Sequence, residues 1–172
     1  LSDRDPFAAM SADPQVKEYF PNTLTRSESD AIAENARRLL RKEDGEFGLS
    51  NSVTKEFIGL IGLSIPNAKL PCSPCVEVLW RLARPYWGYG YATEAAIAAL
   101  RVGFEQLNLQ EIVSFAVVSN HRSRAVMERL NMVDTGETFA HPDVPESSPL
   151  REHCLYKISR ERWASSYPKI RS

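Results

Sequence analysis

A chain of 172 residues with 43% hydrophobic and 25% charged side chains suits one domain around a single core. Its net charge of −1 shows no basic surplus, which argues against a surface built to neutralise many phosphates. No apolar run approaches the ~20 residues of a bilayer span, and the polar start from Leu1 to Met10 lacks a secretory pattern. A cytoplasmic protein with neither nucleic-acid nor membrane partner is expected.

In chain order, Asp3, Asp5 and Pro6 mark a helix start, followed by an apolar face of Phe7, Ala8 and Met10. Ser27 as N-cap with Asp30 three positions on opens a second helix. Its stripe is Ile32, Ala36, Leu39 and Leu40, and Gly45 marks its exit. Three strands are expected next. Glu46 to Ser52 is weakly marked, whereas Phe57 to Ile65 carries glycines that suggest close approach by a neighbour. Val76 to Leu82 stops at the Arg84–Pro85 breaker and forms a hairpin with its predecessor. An alanine-rich helix from Tyr91 to Leu107 and a buried strand from Glu111 to Val118 follow. A helix from Asn120 to Leu130 comes next, then strands Met132 to Phe139 and Arg151 to Ser159 around a polar loop from His141 to Pro149. This order is that of a mixed α+β domain, not a repeating βαβ fold.

The three cysteines do not make an even-numbered disulfide framework. Cys72 and Cys75 form a Cys-x-x-Cys, but they lie in a proline-flanked hairpin loop, away from the helix start that would lower a thiol pKa. A zinc site would need two more ligands from Cys154, His121, His141 and His153, whose spacing makes no second pair. Two ordinary loop thiols are the favoured reading, and no metal is expected.

The informative stretch runs from Glu77 to Glu94, where a strand, a turn with Gly88 and Gly90, and a helix start follow in succession. Glycines let the backbone approach an anion, and the first helical amides have no intrahelical acceptor. With the positive end of the helix dipole they form a phosphate site without a lysine. A turn that merely needs two glycines is the bland alternative. A dinucleotide fold would want a third glycine and a distant acidic residue, and a P-loop would want Gly-Lys-Ser/Thr; neither pattern is present.

Trp87-Gly-Tyr-Gly-Tyr-Ala-Thr-Glu-Ala95 resembles the acetyl-CoA signature of the GNAT acyltransferase superfamily. The variant is similar to its branch of ribosomal-protein N-terminal acetyltransferases (RimJ/RimL-like). Val118 to Met132, with Asn120-x-x-Ser123, resembles the family's strand and following helix, and Cys154 to Trp163 its final strand. Asp13 to Pro21 is similar to its N-terminal helices. The likeness covers nearly the whole chain, so 1–172 is read as a single domain whose first family strand would precede Leu1. Four residues depart from the pattern. Trp87 stands where the superfamily has Gln or Arg, Leu79-Trp80 where the branch has Gly-Tyr, and Asn131 where a glycine is usual.

The resemblance implies a central mixed, mostly antiparallel sheet flanked by helices, with two strands splayed at the acetyl-CoA site. Acetyl-CoA would be the co-substrate. Backbone groups of Trp80, Arg81 and Leu82 would meet the pantetheine arm. Trp87, Gly88, Tyr89, Gly90, Tyr91, Ala92 and Thr93 would form the pyrophosphate turn, and Asn120 would bond the pantetheine. As a plain alternative, Asn120 is a helix N-cap. Amine attack on a thioester needs an oxyanion donor, a base and a proton for the thiolate. A strand amide near Trp80 is the expected donor, Glu77 the candidate base and Ser123 the candidate acid. The expected activity is acetyl transfer to a primary amine, either a protein N-terminus or a small molecule, in a ternary complex. A non-catalytic acyl-CoA sensor and some other phosphate-ligand protein are the alternatives, and a homodimer is left open.

Overall fold

The computed structural model describes residues 3–32, 48–50 and 56–167. Helix α1 (Arg4–Ala12) begins where expected and buries Phe7 and Met10. Phe7 meets Phe57 edge-on at 6.1 Å, which docks this helix on the sheet. A second helix, α2, runs from 26 to 32 as far as it is described. Its cap is not Ser27 with Asp30. Thr25 Oγ1 accepts the Glu28 N–H (3.3 Å) while Glu28 Oε2 accepts the Thr25 N–H (2.8 Å), a reciprocal box two residues earlier. Asp30 pairs instead with Arg26 at 2.9 Å, one turn back along the helix. The expected stripe beyond Ile32, with Ala36, Leu39, Leu40 and Gly45, lies outside the described residues.

Among the described residues, six strands form one sheet: β1 (Gly48–Ser50), β2 (Phe57–Ser64), β3 (Glu77–Leu82), β4 (Glu111–Val117), β5 (Val133–Ala140) and β6 (Glu152–Ser159). Their spatial order is β1-β2-β3-β4-β6-β5. Every neighbouring pair is antiparallel except β3 with β4, which is parallel. The expected hairpin is present, in unbroken register from Gly59↔Leu82 to Ser64↔Glu77. Gly59 explains why this strand carries glycine, since a Cβ there would lie 2.3 Å from the Arg81 carbonyl oxygen.

Helix α3 (Tyr91–Arg101) is shorter than its sequence pattern. It widens into a π turn, Val102–Gln106, before the chain leaves. Gly103 sits in that turn against Ile112 and Leu63, where a Cβ would come within 2.6 Å of Ile112, so the backbone itself touches the sheet. Helix α4 (His121–Arg129) follows β4. The final strand ends at Ser159, whose hydroxyl oxygen caps α5 (Arg160–Ser166), a helix absent from the sequence expectation. Ser159 with Glu161 in the first turn is the signal that was there to be read. Asn131 adopts φ 61°, so it does occupy the left-handed cap position where the family has glycine.

The core divides between the two faces of the sheet. On one, Ala96, Ala99 and Leu100 of α3, Met127 of α4 and Trp163 of α5 close over Ile112, Ala116, Tyr156 and Ile158. The small alanine side chains bring α3 close to the strands. On the other, Leu70 packs on Val113, Phe139 and Leu155. Cys72 and Cys75 lie beside this second cluster with their sulfur atoms 3.2 Å apart. Burial pushes the Cys75 thiol up to about 12, so it stays protonated at neutral pH.

Candidate functional site

The two parallel strands at the middle of the sheet meet at one register position, Glu77↔Val113, backed by a bond from the Val113 N–H to the Val76 carbonyl (2.9 Å). Beyond it they part. The backbone direction on each side follows from the pairs that do exist. Ala83 donates to Ile58 of β2, so its strand-mates Arg81 and Leu79 also turn their N–H and C=O groups toward β2. Trp80 and Leu82 therefore turn theirs into the opening. By the same alternation, Val113 faces β3, so Phe115 and Val117 present their backbone groups from the opposite bank. The result is a wedge-shaped gap lined by main-chain donors and acceptors, closed at the Glu77 end.

At the open end of β3 lies the glycine turn. Trp87 is pinned by its indole N–H to the Leu82 carbonyl at 2.9 Å. Gly88 and Gly90 have φ of 82° and 86°, conformations that favour glycine, and a Cβ at either would meet nothing within 4 Å. The bend is open rather than packed shut. Gly90 starts α3 with no side-chain cap, and the first helical bond runs from the Glu94 N–H to the Gly90 carbonyl at 3.0 Å. The amides of Tyr91, Ala92 and Thr93 thus lie ahead of the helical ladder. Thr93 Oγ1 is buried there with no hydrogen-bond partner among the described residues. An uncapped helix start, open glycines and an orphaned hydroxyl fit a diphosphate. Tyr89 is exposed and stands 6.0 Å from the Tyr91 ring.

On the far bank, Asn120 caps α4, its Oδ1 accepting the Ser123 N–H at 3.1 Å. The cap occupies the oxygen and makes no use of the two amide donors, so a ligand role remains compatible with it. Ser123 is half-buried in the first turn of α4. Glu77 lies at the closed end of the gap, and the unbroken β2–β3 register means no bulge reverses its face. The parallel pair places its side chain on the same face as Val113, away from α3 and α4. Trp80 packs against the helix-side core, while Arg81, on the other face, lies over the Phe20 ring at 4.3 Å.

The sequence reading did not single out Arg122. Its guanidinium lies 4.6 Å over the Trp87 ring and 5.7 Å over Tyr19, and it pairs with Glu18. Tyr19 in turn donates to the Ser119 carbonyl at 3.2 Å, and Arg84 donates to Gln15 at 2.8 Å. The segment after α1 is thereby fastened to both banks of the gap. Nothing local marks Arg122, because Glu18, Tyr19 and Trp87 are 104, 103 and 35 residues away in the chain.

A family model described as an acetyltransferase (GNAT) domain matches residues 1–133. The FsC-acetyl coenzyme A-N(2)-transacetylase of Aspergillus fumigatus is 32% identical over 112 residues, which are 63% of this chain and 48% of that protein. The chain spans about half the length of this relative and of two others that it matches. Among solved structures, a GNAT-family acetyltransferase from Bacillus anthracis superposes with a TM-score of 0.75 at 22% identity, covering 92% of this chain and 90% of that one. RimJ of Mycobacterium smegmatis, solved with CoA-disulfide, gives 0.71 at 20% identity and covers 97% and 80%. At those identities the structures speak for the fold.

Proposed function

The chain belongs to the GNAT acetyltransferase family, and from that premise we propose that it transfers the acetyl group of acetyl-CoA to a primary amine by direct attack. The observation that carries this reading is the single Glu77↔Val113 pairing, which leaves a backbone-lined gap beside the uncapped start of α3. Bound there, acetyl-CoA supplies an activated thioester carbonyl.

The chain's own groups are suited to the rest. The amides from Gly88 to Thr93, and the Thr93 hydroxyl, would hold the diphosphate, and the Trp80 and Leu82 backbone would align the arm as an added strand does. The Trp80 N–H, aimed into the gap, would meet negative charge developing on the carbonyl oxygen. Glu77, at the closed end, would take the amine's proton. As the C–N bond forms and the C–S bond breaks, Ser123 or water would return a proton to the departing sulfur. The acceptor class is a primary amine, on a protein N-terminus or a small molecule.

The test is release of CoA from acetyl-CoA across a library of peptides and small amines. Glu77→Gln is expected to lower kcat about 10²–10⁴-fold with CoA affinity unchanged, and Ser123→Ala by a smaller factor. Undiminished turnover in either variant removes that residue's role. CoA binding without turnover of any amine by the wild type would favour an acyl-CoA sensor. Tight binding of a nucleotide lacking pantetheine would favour a different phosphate ligand.

A further inference from the structure

Past the last β3–β4 pairing, the face of the sheet turned away from α3 and α4 carries an aromatic cluster that the catalytic reading does not use. Ile112 and Ala116 point into the helix-side core, so Val113, Phe115 and Val117 point the other way, the face Glu77 shares. On β6, Tyr156 and Ile158 face the helices, and His153, the register partner of Val117, faces opposite. His141 follows β5 directly and its ring centroid is 5.0 Å from that of His153. Phe115 stands 5.9 Å from His141 and 6.2 Å from His153, and Phe139 stacks on His153 at 5.8 Å. His141, His153 and Phe115 are all half-buried.

The hydrogen bonds assign the two rings complementary tautomers. His153 Nδ1 lies 3.0 Å from the Arg151 carbonyl, which can only accept, so Nδ1 carries the proton and Nε2 is left as an acceptor. His141 Nδ1 accepts the Asp143 N–H at 3.3 Å, so its proton is on Nε2, a donor. Burial pulls both rings below the usual histidine range, which favours their neutral forms. The charged groups around it are engaged elsewhere or lie at its margin. Arg151 pairs with Glu146 at 3.7 Å, Glu152 accepts from Thr138 at 2.7 Å, and Asp143 adjoins His141.

We propose that Phe115, Phe139, His141 and His153 form the acceptor-recognition wall, and that it selects a monoamine with an aromatic or apolar body over a polyamine. This rests on the transferase reading above. The wall stands on the β4 bank, where the Phe115 and Val117 backbone groups enter the gap, and on the same face as Glu77. It offers ring stacking plus one hydrogen-bond donor and one acceptor. Beyond Glu77 and Asp143, a second or third ammonium would meet benzyl and imidazole rings where it needs carboxylates.

The test pairs a binding readout with a kinetic one. Histidine ring resonances of the CoA-bound protein are followed by NMR during titration with phenethylamine and, separately, spermidine. The relative kcat/KM of the two amines is then measured with acetyl-CoA. Phenethylamine is expected to shift both His141 and His153 and to be preferred by about tenfold or more. Phe115→Ala should collapse that preference while CoA affinity stays unchanged, and Phe115→Leu, which retains apolar bulk, should fall between. Preference for spermidine, absence of shifts, or an unchanged ratio in Phe115→Ala overturns the proposal. Shifts without acetylation of any amine would leave the binding wall standing and sink the transferase reading; acetylation without shifts would do the reverse.

Discussion

Glu77 and Val113 are the one register pair between β3 and β4, and the strands separate from that point toward Leu82 on one side and Val117 on the other. The pairing stops while both strands continue because each has a full partner elsewhere. All six β3 residues pair with β2, and all seven β4 residues pair with β6. The sheet can therefore open at its centre without leaving either strand unsupported, and the backbone groups of Trp80, Leu82, Phe115 and Val117 face the gap.

Gly59→Ala tests that support directly. Its Cβ would press on the Arg81 carbonyl oxygen and the Leu82 Cα, both main-chain atoms with nowhere to move. A loss of about 3 kcal/mol or more, or failure to accumulate folded protein, is expected in denaturant titration. A melting curve like that of the wild type would show that β2 and β3 are not so closely apposed.

Gly90→Ala separates strain from ligand contact. There is room for the methyl group, so the stability cost should be only the left-handed backbone, about 1–2 kcal/mol. CoA affinity should fall further, by about tenfold or more, because the added carbon enters the space in front of the amides. Calorimetric titration decides it: equal CoA affinity in both proteins would take the diphosphate away from this turn.

Asn120 has two roles that substitution can divide. Serine retains an oxygen to cap Ser123 N–H and removes the amide donors, while alanine removes both. Asn120→Ala should cost about 1 kcal/mol of stability and Asn120→Ser much less. If the amide also serves the pantetheine, both variants should lose CoA affinity to a similar degree; affinity retained by Asn120→Ser leaves only the cap.

Lys17 is a charge held at an energetic cost. Burial, and the Arg81 guanidinium nearby, lower its pKa to about 8 from an ordinary 10.5. The unfolded chain therefore binds more protons than the folded one between about pH 8 and 10.5, so this group's contribution to stability rises with pH across that window. Below it the whole penalty is in force. Lys17→Met should melt higher than the wild type at pH 7, by about 2–4 °C per kcal/mol relieved. The difference should shrink when both are melted near pH 10, and a constant difference would assign the effect to packing.

Much of this was legible in the residues. Alternation and breakers located the β2–β3 hairpin, and the glycine content of Phe57 to Ser64 announced the close approach made at Gly59. The turn at Gly88 and Gly90, followed by an alanine-rich helix, pointed to an uncapped helix start beside open glycines, and the structure has both. Thr25–Glu28 and Ser27–Asp30 both satisfy the capping-box spacing, so the sequence pattern alone does not choose between them; in the fold Glu28 reaches back to Thr25. The widening of α3 at Val102 was invisible in the pattern; it falls where Gly103 lies too close to Ile112 and Leu63 for a side chain, neighbours that only the fold supplies.

Local order thus fixed most of the elements, the glycine bend and the uncapped helix start, because propensity, turn conformation and orphaned amides depend on neighbours within a few residues. What the strands do at Glu77 and Val113, which bank Arg122 fastens, and which face brings His141 against His153 were decided by pairings tens of residues apart. A one-residue change of register would reverse every side chain on a strand, so the sheet had to form before any of those surfaces existed.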